Sequence, residues 1–235
     1  MYYHYGYYMD PTYILVLIGL ALTLLASGMV NSTYAKYERI RSSAGMTGAD
    51  AARRILLNAG ITDVQVVHTP GRLTDHYNPS KRTVFLSDAT YNSTSVAAIG
   101  VAAHECGHAV QHDVGYVPLQ LRSALVPVAT IGSHAGIPLI LIGILMSYNR
   151  TLITIGIWAF SLAVLFQLVT LPVEFNASRR ALAMLGEQRI LDPAELKGSR
   201  SVLRAAAMTY VAAAAASILQ LLRLIMIFGG GRRRD

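Results

Sequence analysis

The stretch "AAHECGHAVQHD" (residues 102–113) adjoins a run of small and apolar residues, and its reading decides what the rest of the chain must supply. From residue 95 to 111, "SVAAIGVAAHECGHAVQ" reads as one helix, opened by the cap-rich "NSTS". His104 and His108 are four residues apart on it, about 40° from each other in projection. Their imidazoles can converge on one ion while Glu105 reaches a water there. This is the H-E-x-x-H arrangement, in which the glutamate acts as general base. Gly107 and Ala109 leave room around the pair. An ordinary buried polar cluster would hold the same residue types. A catalytic zinc site needs, in addition, a third protein ligand and an open fourth position.

His112 does not fill that role, because it stands about 6 Å along the helix axis from His108. The metzincin spacing also fails, since Gln111 stands where that motif needs a turn-forming glycine. His112 and Asp113 read as polar surface or as outer support for a ligand. Cys106 projects about 200° away from His104 and reads as a small packed hydrophobe.

Composition says where such a helix sits. Hydrophobic residues make up 53% of the 235 and charged residues 14%, against about 25% charged in ordinary soluble domains. This favours a membrane protein. The net charge of +7 comes without a recognition motif or an aromatic-basic constellation, which argues against nucleic acid as a partner. A single cysteine excludes an intramolecular disulfide and fits a reducing compartment.

Four stretches approach the length needed to cross roughly 30 Å of hydrocarbon: residues 14–30, 124–146, 152–171 and 205–228. The tyrosine-rich opening "MYYHYGYYMDPTY" resembles an interfacial aromatic belt and lacks the basic region and cleavage site of a signal peptide. The last stretch is the least regular, with Gln220 and Arg223 inside it. The short "SYNRT" makes the middle two a hairpin, so the segments flanking it share one side of the membrane. Residues 31–123 carry nine basic side chains (Lys36, Arg39, Arg41, Arg53, Arg54, Arg72, Lys81, Arg82, Arg122), residues 172–204 carry six (Arg179, Arg180, Arg189, Lys197, Arg200, Arg204), and the tail before the first span carries none. The positive-inside rule then places both segments in the cytoplasm and the N-terminus outside. Arg232, Arg233 and Arg234 in the C-terminal tail oppose this and are outnumbered.

In the segment before the hairpin, "NSTYAKYERIRSS" continues the first helix out of the bilayer. In "MTGADAARRILLNAG", Thr47 caps a second helix that ends before Gly60. "DVQVVH" (63–68) and "RTVFLS" (82–87) read as strands, with Asn78 and Pro79 as turn residues between them. The expected fold is a mainly α membrane protein. About four transmembrane helices carry a small cytosolic α+β zincin-like metalloprotease domain split by a transmembrane hairpin. Its parts are a tail and first span (1–30), a cytosolic part with the H-E-x-x-H helix (31–123), the hairpin (124–171), a second cytosolic segment (172–204), and a fourth apolar helix with a basic tail (205–235).

A candidate third ligand lies beyond the hairpin, at a membrane exit where a lone carboxylate is otherwise simply solvated. Glu174, in "LPVEFNASRRAL", is the first acid after the third span, on the side shared with His104. Together "AAHECGHAVQH" and "LPVEFNASRRAL", with "GMTGADAARRIL", "LTDHYNPSKRTVFLS" and "DPTY", resemble the YugP-type neutral zinc metallopeptidases of bacterial membranes over nearly the whole chain. They are more distantly similar to the HtpX and CAAX-prenyl-protease group, in which a Glu-x-x-Ala-Asp motif supplies the third ligand. The resemblance implies peptidase activity and Glu174 as that ligand, and gives no substrate. Ser178 occupies the place of that group's Asp. A serine there would orient a zinc-bound histidine more weakly, or Asp113 would substitute.

The expected chemistry is an integral membrane zinc endopeptidase acting on polypeptides in the inner cell membrane, with Zn²⁺ on His104, His108 and Glu174, and Glu105 as base. Candidate donors to the developing oxyanion are Arg179, Asn176, His76 and Tyr91; their plainer readings are helix-surface charge, polar surface, loop packing and core aromatic. "TVFLS" is a candidate edge strand for substrate pairing, or else a buried structural strand. His134, inside the second span, reads as a satisfied intramembrane polar group. Two rivals share the motif. An intramembrane site-2-type protease would need it within a span and an aspartate in a later one. A non-catalytic zinc-stabilised scaffold would have no use for Glu105.

Overall fold

The computed structural model describes residues 10–229, so the first nine residues of the tyrosine-rich tail and the terminal arginines lie outside the described residues. Nine elements follow in order: α1 (Tyr13–Glu38), α2 (Gly48–Asn58), β1 (Gln65–His68), β2 (His76–Asn78), β3 (Thr83–Leu86), α3 (Val96–Asp113), α4 (Val117–Leu145), α5 (Arg150–Glu187) and α6 (Pro193–Phe228). Of these α1, α4, α5 and α6 are long and apolar enough to cross a membrane. Two compact units divide the chain. One holds Ala26–Leu125 and Leu168–Tyr210, the other Met1–Leu25, Val126–Gln167 and Val211–Asp235.

In the first unit, local chemistry sets the element ends. Thr47 Oγ1 accepts from the Asp50 amide at 3.1 Å while the Asp50 carboxylate accepts from the Thr47 amide at 3.1 Å, a reciprocal cap on α2. Ser95 caps α3 with a single bond, its Oγ accepting from the Ala98 amide at 3.1 Å. At the start of α6, Asp192 Oδ1 accepts from Ala194 and Glu195, and Glu195 returns the bond to the Asp192 amide, with Pro193 in the first helical position.

The core lies between α2, α3, the sheet and residues of α5 and α6. Ile55, Val84, Leu86, Ile99, Cys106 and Leu185 are all fully buried there. Strand order is β1-β3-β2, with β1 parallel and β2 antiparallel to β3. Of the two readings of "TVFLS", the edge strand fails and the buried structural strand holds: β3 is the central strand, paired on both edges, and the free edges belong to β1 and β2. The strands are also shorter than expected, and the stretch read as a turn contains β2. Its three residues, His-Tyr-Asn, show no apolar alternation by which a strand is recognised.

The second unit is built from helices alone among the described residues. α4 and α5 form the expected hairpin, with Ser147 and Tyr148 at positive φ in the turn. The helices touch closely, and Gly132 leaves no room for a Cβ against the Ala159 carbonyl, a small-residue contact of the kind membrane helices use. Arg223, the charge that made the fourth span irregular, lies over the Tyr13 ring at 4.2 Å and 3.8 Å from the Asp10 carboxylate. His134 donates from Nδ1 to the Thr130 carbonyl at 2.8 Å, as expected of a satisfied polar group.

Candidate metal centre

Two helices of the first unit supply the site. α3 carries His104, Glu105 and His108, and the continuation of α5 past Pro172 carries Glu174 and Ser178. Their approach depends on Gly107, whose Cβ, were it present, would lie 2.6 Å from the Ala177 carbonyl oxygen. Gly107 falls between the two histidines and Ala177 between Glu174 and Ser178. The absence of one side chain therefore lets the functional faces meet.

One ligand atom from each of His104, His108 and Glu174 lies within 4.8 Å of the others. Glu174 Oε2 is 3.2 Å from His104 Nε2 and 3.7 Å from His108 Nε2, with its side chain 3% exposed. The imidazole rings stand nearly perpendicular, 4.8 Å between centroids. The other carboxylate oxygen, Oε1, faces the Arg122 guanidinium at 3.4 Å. Arg122 thus turns one oxygen aside and leaves the second toward the imidazoles.

Hydrogen bonds behind the histidines fix which nitrogen each presents. Gln111 donates from its amide to the Val173 carbonyl at 2.9 Å and to Asn176 Oδ1 at 3.0 Å. Its Oε1 must then be the atom 3.0 Å from His108 Nδ1. A carbonyl oxygen only accepts, so Nδ1 carries the hydrogen and the neutral ring presents the Nε2 lone pair toward Glu174. Ser178 Oγ lies 3.1 Å from His104 Nδ1 and leaves His104 Nε2 turned to the same carboxylate. A lone pair aimed at a carboxylate is stable only with a proton or a metal ion between them, and either one can occupy this contact. Burial would push the His108 imidazole below its ordinary pKa, but the hydrogen-bonded Glu174 carboxylate and nearby Glu105 hold it above. Two imidazole nitrogens and one carboxylate oxygen with an open side make a donor set that suits zinc.

The open side is a cavity of about 280 Å³ lined by His104, Glu105, Glu174, Asp75, Thr209 and Tyr210 among others. Glu105 is 8% exposed and belongs to its wall. Of the other residues singled out in sequence, Ser178 lines the cavity and touches His104. Asn176 accepts from Gln111 and from Arg180 Nε at 2.8 Å. Arg179 is exposed and lines a neighbouring groove. His76 stacks on Phe85 at 4.8 Å, and the Tyr91 hydroxyl accepts from Arg53 at 2.8 Å. Asp113 is exposed at the end of α3, and His112 bonds the Tyr77 hydroxyl at 2.8 Å.

Three residues at the site escaped the sequence reading. Gln111 lies three positions after His108, on its face of the helix, so spacing alone could have raised it. Arg122 registered only as a topological charge. Tyr210 sits in an alanine-rich apolar run with nothing local to mark it.

Long apolar helices together with a two-imidazole, one-carboxylate donor set beside a buried glutamate form the pattern of a membrane metallopeptidase. The chain belongs to the family described as "Putative neutral zinc metallopeptidase", whose model matches residues 12–229. It is 46% identical over 218 residues to "Putative membrane protease YugP" of Bacillus subtilis (strain 168), an alignment covering 93% of this chain and 96% of that protein. No solved structure matches it significantly.

Proposed function

We propose that this chain is an integral membrane zinc endopeptidase whose active site faces the cytoplasm. The observation that carries the reading is the convergence of one ligand atom each from His104, His108 and Glu174 within 4.8 Å, at a cavity walled by Glu105. Those three residues would hold zinc, which when bound polarises a peptide carbonyl and acidifies water.

Glu105 accepts a proton from the attacking water and delivers it to the leaving amine. The Tyr210 hydroxyl, on the same cavity wall, donates to the carbonyl oxygen as it gains charge. Ser178 and Gln111 keep the two imidazoles turned inward, and Asn176 supports Gln111 from behind. An extended substrate adds to the free edge of β2, which follows directly on the cavity residues Leu73 and Asp75.

Cytoplasmic placement rests on the basic residues of 31–123 and 172–204, held to one side by the hairpin. The intramembrane rival has less support, because α3 is not among the helices long and apolar enough to span. The test is purification in detergent, zinc measured per chain, and cleavage of an unfolded protein followed with and without a chelator. Stoichiometric zinc and chelator-sensitive internal cleavage support the reading. A metal-replete chain that cleaves nothing supports the scaffold instead.

A further inference from the structure

Beside the catalytic cavity runs a groove of about 550 Å³ between α5 and α6. The two hollows share Ser178, Leu203 and Ala207 as a common wall, so the groove lies directly beside the space around Glu105. Its floor is apolar, including Phe175, which is 44% exposed. Its rim is cationic, with Arg179 from α5 and, one turn apart on α6, Arg200 and Arg204.

These guanidinium groups are exposed, and among the described residues none of them is in an ion pair. The nearby acids Asp192 and Glu195 are engaged elsewhere, capping α6 and accepting from the Ser43 amide. Three like charges around one apolar hollow repel each other and are relieved by an anion entering it.

Building on the peptidase reading above, we infer that this groove is a specificity subsite for an acidic side chain, Asp or Glu, close to the scissile bond of a polypeptide substrate. The shared wall favours a peptide over a lipid headgroup: a chain lying in the cavity and crossing that wall brings its next side chains over the groove, and an apolar lining with basic residues accommodates a carboxylate on a short aliphatic stem. Arg179, read from sequence as a donor at the reaction centre, acts here instead. Guanidinium forks suit carboxylates. Each exposed pair contributes little, and charge complementarity across several is what selects one partner over another.

The test uses the full chain in detergent and three peptides differing only near the scissile bond: acidic, amide-isosteric and lysine-bearing. Two readouts are taken, kcat/KM on the wild type and binding of labelled peptides to Glu105→Gln. The acidic peptide should lead the lysine peptide by about tenfold in both, less at high salt. Replacing both Arg200 and Arg204 with Gln should bring the acidic-to-amide ratio near one, and replacing both with Glu should invert the acidic-to-lysine order. An unchanged charge preference in these variants overturns the subsite. So does a preference that stays unchanged while their activity loses its response to phosphatidylglycerol vesicles, which would assign the arginines to lipid. Charge-selective binding without cleavage of any peptide would leave the subsite standing and remove the peptidase reading.

Discussion

Gly107 of α3 and Ala177 of α5 meet so closely that a Cβ on the glycine would fall 2.6 Å from the alanine carbonyl oxygen. His104 and Glu174 stand three residues before this glycine and this alanine, His108 one residue after the glycine, and the three side chains turn toward each other. The candidate metal centre depends on this packing contact. Gly107→Ala should force α3 and α5 apart at a cost of about 1–3 kcal/mol, enough to weaken zinc binding while the apolar helices stay folded. Circular dichroism with zinc titration checks it. Wild-type zinc affinity in Gly107→Ala would show that the contact does not set the site.

The amide of Gln111 determines which nitrogen His108 presents. Gln111→Leu should lower zinc affinity about 10–100-fold, the usual effect of removing support behind a ligand, with Glu105 still in place. Competition with a zinc-responsive dye measures the change. Because Asn176 acts only through Gln111 and Arg180, Asn176→Ala should have a smaller effect in the same direction.

Tyr210→Phe removes one hydroxyl from the cavity and none of the zinc donors. Because that hydroxyl also hydrogen-bonds Glu174, zinc affinity should weaken, but at saturating zinc the content should be unchanged while kcat falls by about 10²–10³, the scale for losing a donor to a developing oxyanion. Equal kcat in both proteins would assign Tyr210 to packing.

Cys106 is fully buried in the core beside Ala52, and burial pushes its thiol well above the ordinary range, with Glu105 adding to the effect. It should resist maleimide in the native protein at neutral pH and react after denaturation. Cys106→Ala should keep zinc and activity, measured against the wild type.

How much of this was legible in the sequence follows the range of each interaction. The caps at Thr47 and Ser95 and the spacing of His104 and His108 are local and could be read directly. The length of α1, α4, α5 and α6 was visible as apolar runs, though not that α5 continues unbroken through Pro172 to Glu187. The strand β2 was hidden because three polar or aromatic residues held by one neighbouring strand carry no periodic signal. The Arg122–Glu174 and Gln111–Val173 contacts join residues 52 and 62 positions apart. Only the folded chain shows them.

The most direct measurement compares zinc content and proteolysis in Glu105→Gln and Glu174→Ala with the wild type. Glu105→Gln should keep its zinc and lose about 10²–10⁴ in rate, and Glu174→Ala should lose both zinc and cleavage. Sustained hydrolysis by Glu105→Gln, or full zinc occupancy in Glu174→Ala, would contradict the account.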